Sequence, residues 1–382
     1  MSRLEYILSA LALQILGWIV DRLPAKPGRV VLASARKPVL DGNLAAIATG
    51  IATLRPGADL VVLAEPYSYG LVGKLRYAMR VARGTYHVHS AGLVVVDNAW
   101  LPVHVAPHRR TTVVQVWHAA GALKRFGLDA VPPPAEPERT FLHRHYDWVV
   151  TSGEASREPW SRALRTPLAR VVALGSARTD ALLDPDALWA ARARVIARYP
   201  VLRDRRVITY APTFRGRGRG KRPALGLEAA RLRASLGPND VLVLKTHPNL
   251  DRRLVDRTGY DVIVDPGDDM NDLLAMTDIL VTDYSSSIFE YALLRRPLIL
   301  LVGDLAEYER EPGLYLDYRT EMIGTQVADT DGVIEAIRAG RFDLSGYDAF
   351  IARHLGASDG RASRRFVEHF LPGTAGDRIL QP

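Results

Sequence analysis

The chain has 382 residues, enough for roughly two hydrophobic cores, and 48% of them are hydrophobic, an ordinary share for a globular protein. It has no cysteine, which excludes disulfides and thiolate metal sites. Its net charge of +8 bears on partners and not on fold: nucleic acid, an anionic membrane surface or a phosphate-rich substrate all fit, and so does a simple abundance of scattered arginine.

The first element is apolar. Tyr6 to Val20 (YILSALALQILGWIV) lies between Arg3 and Arg22. It is shorter than the roughly 20 apolar residues of a spanning helix. No small-x-small cleavage pattern precedes Asp21-Arg22, so a signal peptide is not indicated. A helix packed on the protein and a helix lying in a membrane interface both remain open; Trp18 and the flanking arginines suit the second.

From Pro24 onward strands and helices alternate. Arg29 to Ser34, Asp59 to Ala64, Gly92 to Val96, Thr111 to Val116, Asp147 to Thr151 and Arg170 to Leu174 read as strands. Asp41 to Leu54 and Leu71 to Arg83 read as helices, the second carrying Lys74, Arg76, Arg80 and Arg83. Val131 to Pro137 is a proline loop. The alternation restarts with a helix at Asp186 to Arg198. Strands follow at Arg206 to Tyr210, Asp240 to Leu244, Val262 to Val264, Ile279 to Thr282 and Leu298 to Leu301, with helices at Met270 to Met276 and Ser286 to Leu294. The pattern predicts an α/β protein with parallel sheets, divided as an N-terminal helix over 1–24, a Rossmann-like domain over 25–185 and a second over 186–382, the two facing a central cleft.

Ligands in such sheets bind beyond the carboxyl ends of the strands, and the polar clusters of this chain sit there. Trp117-His118 follows the strand TTVVQV and leads into a small-residue loop; the histidine is a general base or a structural histidine bonded to a carbonyl. Lys245-Thr246-His247-Pro248 follows another buried strand and offers cations to a phosphate, or is an ordinary turn. Thr282-Asp283-Tyr284-Ser285-Ser286-Ser287 joins a strand to a helix. Its hydroxyls and free N–H groups suit a pyrophosphate, capping by Ser285 or Ser286 is compatible with that, and Glu290 one turn on could receive ribose hydroxyls. Arg215 opens a Gly/Arg stretch to Arg222, either a mobile grip on an anion or a solvated loop. It lacks the aromatics of a single-strand-binding arm. The paired histidines 87/89, 104/108 and 143/145 carry no metal-ligand spacing, so no metal and no cofactor is expected.

In this order the segments VWHAAGALKRFG, TSGEASREPW, LGSARTD, TYAPTFRG, LKTHP, DDMNDLLAMTDILVTDYSSSIFEYALLRRPLIL and GLYLDY, from Val116 to Tyr318, resemble the CDP-glycerol glycerophosphotransferase family of teichoic acid primases and polymerases. The resemblance implies a GT-B fold whose second domain holds most of the donor. It implies His118 as general base and His247 as a second functional histidine. Asp283, Ser285, Ser286 and Glu290 would lie in the donor segment, with Arg178, Arg215 and Lys245 as phosphate contacts by position. The expected partners are a CDP-glycerol or CDP-ribitol donor and a lipid-linked polyol-phosphate acceptor. The expected place is the cytoplasmic face of the cell membrane, reached through Trp18, Lys74, Arg76 and Arg80. One departure stands out: where the family commonly has WHGTPLK, this chain has WHAAGALK, which leaves glycerol against ribitol open. A nucleotide-sugar transferase of the same fold is the nearer alternative, and a nucleic-acid-binding protein using the Arg/Gly loop the remote one. A homo-oligomer is open, with no coiled-coil seam to favour it.

Overall fold

The strands are built from unbroken runs of Val, Leu and Ile, which fit sheets buried on both faces. The computed structural model describes residues 3–35, 38–64, 71–136, 138–216, 222, 224, 226–246 and 255–372. In it the chain forms two units, one of residues 1–180 and 354–382, the other of Ala181–Arg353.

The first unit carries a six-stranded sheet of β1 (Lys26–Ser34), β2 (Asp59–Ala64), β3 (Ala91–Val96), β4 (Thr112–Gln115), β5 (Trp148–Thr151) and β6 (Val171–Ala173). Its order is β2-β1-β3-β4-β5-β6, and every neighbouring pair is parallel. The direction of winding therefore reverses between β1 and β3, the place where open α/β sheets bind ligands. Helix α1 (Arg3–Val20) precedes the sheet, α2 (Gly42–Leu54) joins β1 to β2, and α3 (Leu71–Ser90) joins β2 to β3. Leu44, Ile47 and Ile51 line one face of α2 at helical spacing and pack on Val30, Leu32, Leu93 and Val95 of the sheet.

The second unit repeats the architecture with β7 (Arg206–Ala211), β8 (Asp240–Lys245), β9 (Val262–Val264), β10 (Ile279–Thr282), β11 (Leu298–Leu301) and β12 (Thr325–Val327). Here the order is β12-β11-β10-β7-β8-β9, again all parallel. Counted from its own first strand this is the Rossmann order 3-2-1-4-5-6, with the switch between β7 and β10. Ile208, Tyr210, Leu242, Leu244, Val281 and Ile299 form its core with Val333 and Ile337 of the helix Thr330–Ala339.

The boundary differs from the expected 25–185 and 186–382. The chain leaves the first unit after Asp180 and comes back to it at His354. The reason is packing. Phe366, Val367 and Phe370 of the helix Ala362–Phe370 complete the core that α2 covers. Asp180 caps that helix from a distance, accepting from Ala362 N (2.9 Å), Ser363 N (2.8 Å) and Ser363 Oγ (2.6 Å). The returning backbone lies so close that a Cβ on Gly153 would stand 2.7 Å from His354 O, and one on Gly175, at φ +97°, 2.1 Å from Ala357 O.

Candidate functional site

In the first unit the polar side chains converge where β4 ends. Trp117 takes φ +50°, a left-handed conformation that costs a non-glycine residue about 1–2 kcal/mol. The bend turns His118 away from the line of the strand. It is held from several sides. Asn43 Nδ2 donates to Val116 O (3.1 Å) and Trp117 O (3.0 Å), and Asn43 Oδ1 accepts from Ser176 Oγ (3.0 Å) and Arg178 N (2.9 Å). Arg178 NH1 donates to His118 O at 2.9 Å. Trp117 N donates to Gln115 Oε1 at 2.8 Å. The Trp117 ring stacks on Phe126 with centroids 4.7 Å apart and lies 4.4 Å from the His118 ring.

The half-buried His118 has its Nδ1 3.3 Å from Asp97 O, at the end of β3. A carbonyl only accepts, so Nδ1 carries the proton and Nε2 keeps the lone pair. Of the two readings left open by sequence, the bond to a backbone carbonyl is present, and it is compatible with the other. Below it lie two further histidines. His104 and His143 are buried, and burial pushes both down to about 3, so they are neutral parts of an aromatic cluster with Tyr146.

In the second unit the cluster sits at the switch between β7 and β10. Asp283, 2% exposed, follows β10 and accepts from Thr213 N (2.9 Å) and Thr213 Oγ1 (3.0 Å), which follow β7. Arg215 NH1 reaches Asp283 Oδ2 at 2.9 Å, and its Nε and NH2 grip Asp304 at 2.7 and 3.2 Å. The guanidinium lies 5.1 Å from the Tyr284 ring centroid and 4.9 Å from that of Tyr308, the two rings being stacked 3.7 Å apart. Burial works against the charge of Arg215, but the two carboxylates outweigh it and raise its pKa. Burial likewise opposes the charge of Asp304, and the hydrogen bonds from Arg215 and Tyr284 override it and lower its pKa.

Asp283 and Arg215, expected at the donor, are therefore partners of each other and brace the two strand ends beside the switch. Lys245, 6% exposed, is also engaged: its Nζ donates to Asp265 O (2.6 Å) and Asp268 O (2.8 Å), closing the turn after β9. Ser285 and Ser286 lie just before the short helix Ser287–Ala292. Ser285 Oγ accepts from Ser287 N (3.2 Å) and meets Ser287 Oγ at 2.7 Å, while Ser286 holds the cap position without a side-chain cap bond. Glu290 is buried within that helix, 2% exposed. His247 and residues 217–221 of the Arg/Gly stretch lie outside the described residues; Arg215 and Arg222 pair there as an antiparallel bridge.

Sequence reasoning missed Asn43, Gln115, Asp97 and Asp304. Each acts through a bond to a distant segment; Asp97, directly after β3, and Asp304, shortly after β11, stood where the strand-end rule could have found them. Of the surface residues, Trp18 is 60% exposed, Lys74 and Arg76 are exposed, and Arg80 is half-buried. Among the described residues no helix is long and apolar enough to cross a membrane.

A protein-family profile described as CDP-Glycerol:Poly(glycerophosphate) glycerophosphotransferase matches residues 16–371. The chain is 30% identical over 367 residues to a teichoic acid ribitol-phosphate primase of Bacillus spizizenii, covering 92% of this chain and 94% of that protein. It is 26% identical over 334 residues to the teichoic acid glycerol-phosphate primase of Bacillus subtilis, 85% of this chain and 83% of that one. Against the ribitol-phosphate polymerase TarL of Staphylococcus aureus the identity is 30% over 91% of this chain, but the match spans only 63% of the polymerase. Among solved structures, that of the wall teichoic acid polymerase TagF is similar in fold, with a TM-score of 0.72 at 21% identity over 95% of this chain and 94% of that one.

Proposed function

This chain belongs to the CDP-glycerol:poly(glycerophosphate) glycerophosphotransferase family, and from that premise we propose that it transfers a polyol phosphate from a CDP-activated polyol to a hydroxyl of a lipid-linked or polymeric acceptor, releasing CMP and using no cofactor. The observation that carries the reading is His118, raised on a strained bend with Nδ1 turned to Asp97 O. Nε2 takes the proton of the acceptor hydroxyl as that oxygen bonds to the phosphorus bearing the polyol. The bond from this phosphorus to the oxygen bridging it to CMP breaks, and CMP departs with the electron pair.

The second unit supplies the donor site in this reading. Its Rossmann strand order puts Thr213, Asp283, Ser285 and Ser286 at the switch, where nucleotides bind in sheets of this kind. Asp283 and Arg215 serve there by fixing the shape of the site, and His247 remains the proposed second histidine. Catalysis of this kind rests on positioning and on charge placed in advance.

The proposed place of work is the cytoplasmic face of the cell membrane, where a lipid-linked acceptor is met. Helix α1 supports this with two apolar faces. Ala10, Leu13 and Val20 are buried, the first two in a cluster with Val81 and Val105, while Leu8, Leu11, Ile15 and Trp18 form an exposed stripe at helical spacing. The stripe runs into Arg22, whose guanidinium lies 3.3 Å from the Trp18 ring centroid, beside a pocket that Arg109 and Arg110 also line. An apolar stripe ending in cations is the profile of a helix lying in an anionic interface.

The test is release of CMP from CDP-glycerol and from CDP-ribitol, each with and without a lipid-linked polyol-phosphate acceptor. Acceptor-dependent CMP from either donor establishes the reaction and names the polyol. His118→Ala is expected to cut turnover by about 10²-fold or more while donor binding stays. Unchanged turnover in a folded His118→Ala protein removes the base from the scheme.

A further inference from the structure

A neutral histidine in water favours the proton on Nε2, the tautomer that cannot act as the base required here. Something has to hold His118 in the other form. Its Nδ1 contact to Asp97 O does so only while two separate stretches, the end of β3 and the bend after β4, keep their spacing. One side chain bridges them. Gln115, fully buried, donates from Nε2 to Asn98 O at 3.1 Å and accepts at Oε1 from Trp117 N at 2.8 Å. Asn98 is the residue after the carbonyl that His118 uses, and Trp117 the residue before His118. The amide therefore spans both anchors of the imidazole contact, with its donor on one and its acceptor on the other.

We propose that Gln115 is a positioning residue for the transfer reaction, which keeps the proton of His118 on Nδ1 by locking Asn98 O and Trp117 N at a fixed separation. It touches no substrate. It needs both ends of its amide, because a group that only accepts holds Trp117 N and repels Asn98 O, and a group of neither kind releases both. Asn43 and Arg178 hold the carbonyls of residues 116–118 from the other side, so the bend keeps its support when Gln115 is changed.

The inference rests on His118 being the base, and the experiment separates the two. Full-length protein labelled with ¹⁵N in its histidines is studied by NMR without substrates, with His118→Ala identifying the His118 signals. The wild type is expected to show the Nδ1–H tautomer at His118. In Gln115→Leu the signals are expected to shift to the Nε2–H form, with kcat down by about tenfold or more and KM for the CDP-polyol donor within about twofold of wild type. Gln115→Met is expected to do the same, since it keeps the length of the side chain and lacks both the donor to Asn98 O and the acceptor for Trp117 N, and it decides the matter should the leucine variant not fold. Wild-type His118 signals and wild-type kcat in either folded variant overturn the proposal. So does a fall in kcat with the Nδ1–H tautomer intact, which makes Gln115 merely structural. Because the tautomer is read without turnover, an active His118→Ala protein removes the base assignment alone and leaves the lock itself measured.

Discussion

Arg215 and Asp283 show how a residue can belong to a functional segment and still serve the scaffold. Their side chains are 12% and 4% exposed, and Asp304 completes the group. Taking one partner out of a buried pair leaves the other charge without compensation, at about 3–5 kcal/mol. Arg215→Ala is therefore expected to lower unfolding stability by that order in urea titration, with Arg215→Lys between it and wild type because the ammonium lacks the fork that grips Asp304. The buried histidines set the response to acid. His104 and His143 ionise at about 3 in the folded protein because burial disfavours their charge, against 6.5 for the exposed side chain. Between these values the unfolded chain binds protons that the folded chain refuses. Their contribution is thus whole above 6.5 and is lost as pH falls towards 3, by about 1.4 kcal/mol per pH unit for each. Denaturant titrations between about pH 7 and pH 5 check the slope, and His143→Phe is expected to flatten it by one histidine's share. The sequence made His118 legible because a polar residue right after a buried strand faces the ligand end of the sheet. It left Gln115 and Asn43 hidden, since an amide inside an apolar strand or helix has no pattern of its own until its distant partners are placed.

Among the elements, strands built of continuous apolar runs were legible throughout, and eleven of the expected segments recur as β1 to β11 within a residue or a few at each end. β12 (Thr325–Val327) was not: it is half-buried at the sheet edge, and its residues, Thr-Gln-Val, form no apolar run. Helix α1 was legible as apolar but not as two-faced, because residues on both sides of it are apolar and only the packing shows which side is covered. Its outer side chains Leu11 and Ile15 are 50% and 61% exposed and so can be changed without disturbing the core. Burial of each in a membrane interface is worth about 1.5–3 kcal/mol. A Leu11→Glu, Ile15→Glu protein is expected to unfold like the wild type and to lose at least about tenfold in affinity for vesicles with anionic headgroups, measured by co-sedimentation. Equal binding assigns the membrane contact elsewhere.

At the scale of the whole molecule, the return of the chain at His354 was not legible, because an amphipathic helix announces that one face is buried and not which core receives it. Phe366, Val367 and Phe370 belong to the core under α2. A chain ended at Arg353 is expected to leave Leu44, Ile47 and Ile51 of α2 without that cover, and limited proteolysis should cut the first unit well before the second. Equal resistance of both units would show the helix Ala362–Phe370 to be dispensable. The same return sets an order of events during synthesis. Ala181–Arg353 is one uninterrupted stretch and has all its parts as soon as it clears the ribosome. The first unit, though made earlier, waits for its last helix until the second has emerged. For that interval the nascent protein carries an open apolar face beside the strand ends that hold His118, so the half that bears the proposed base matures last and is the half a chaperone would have to guard.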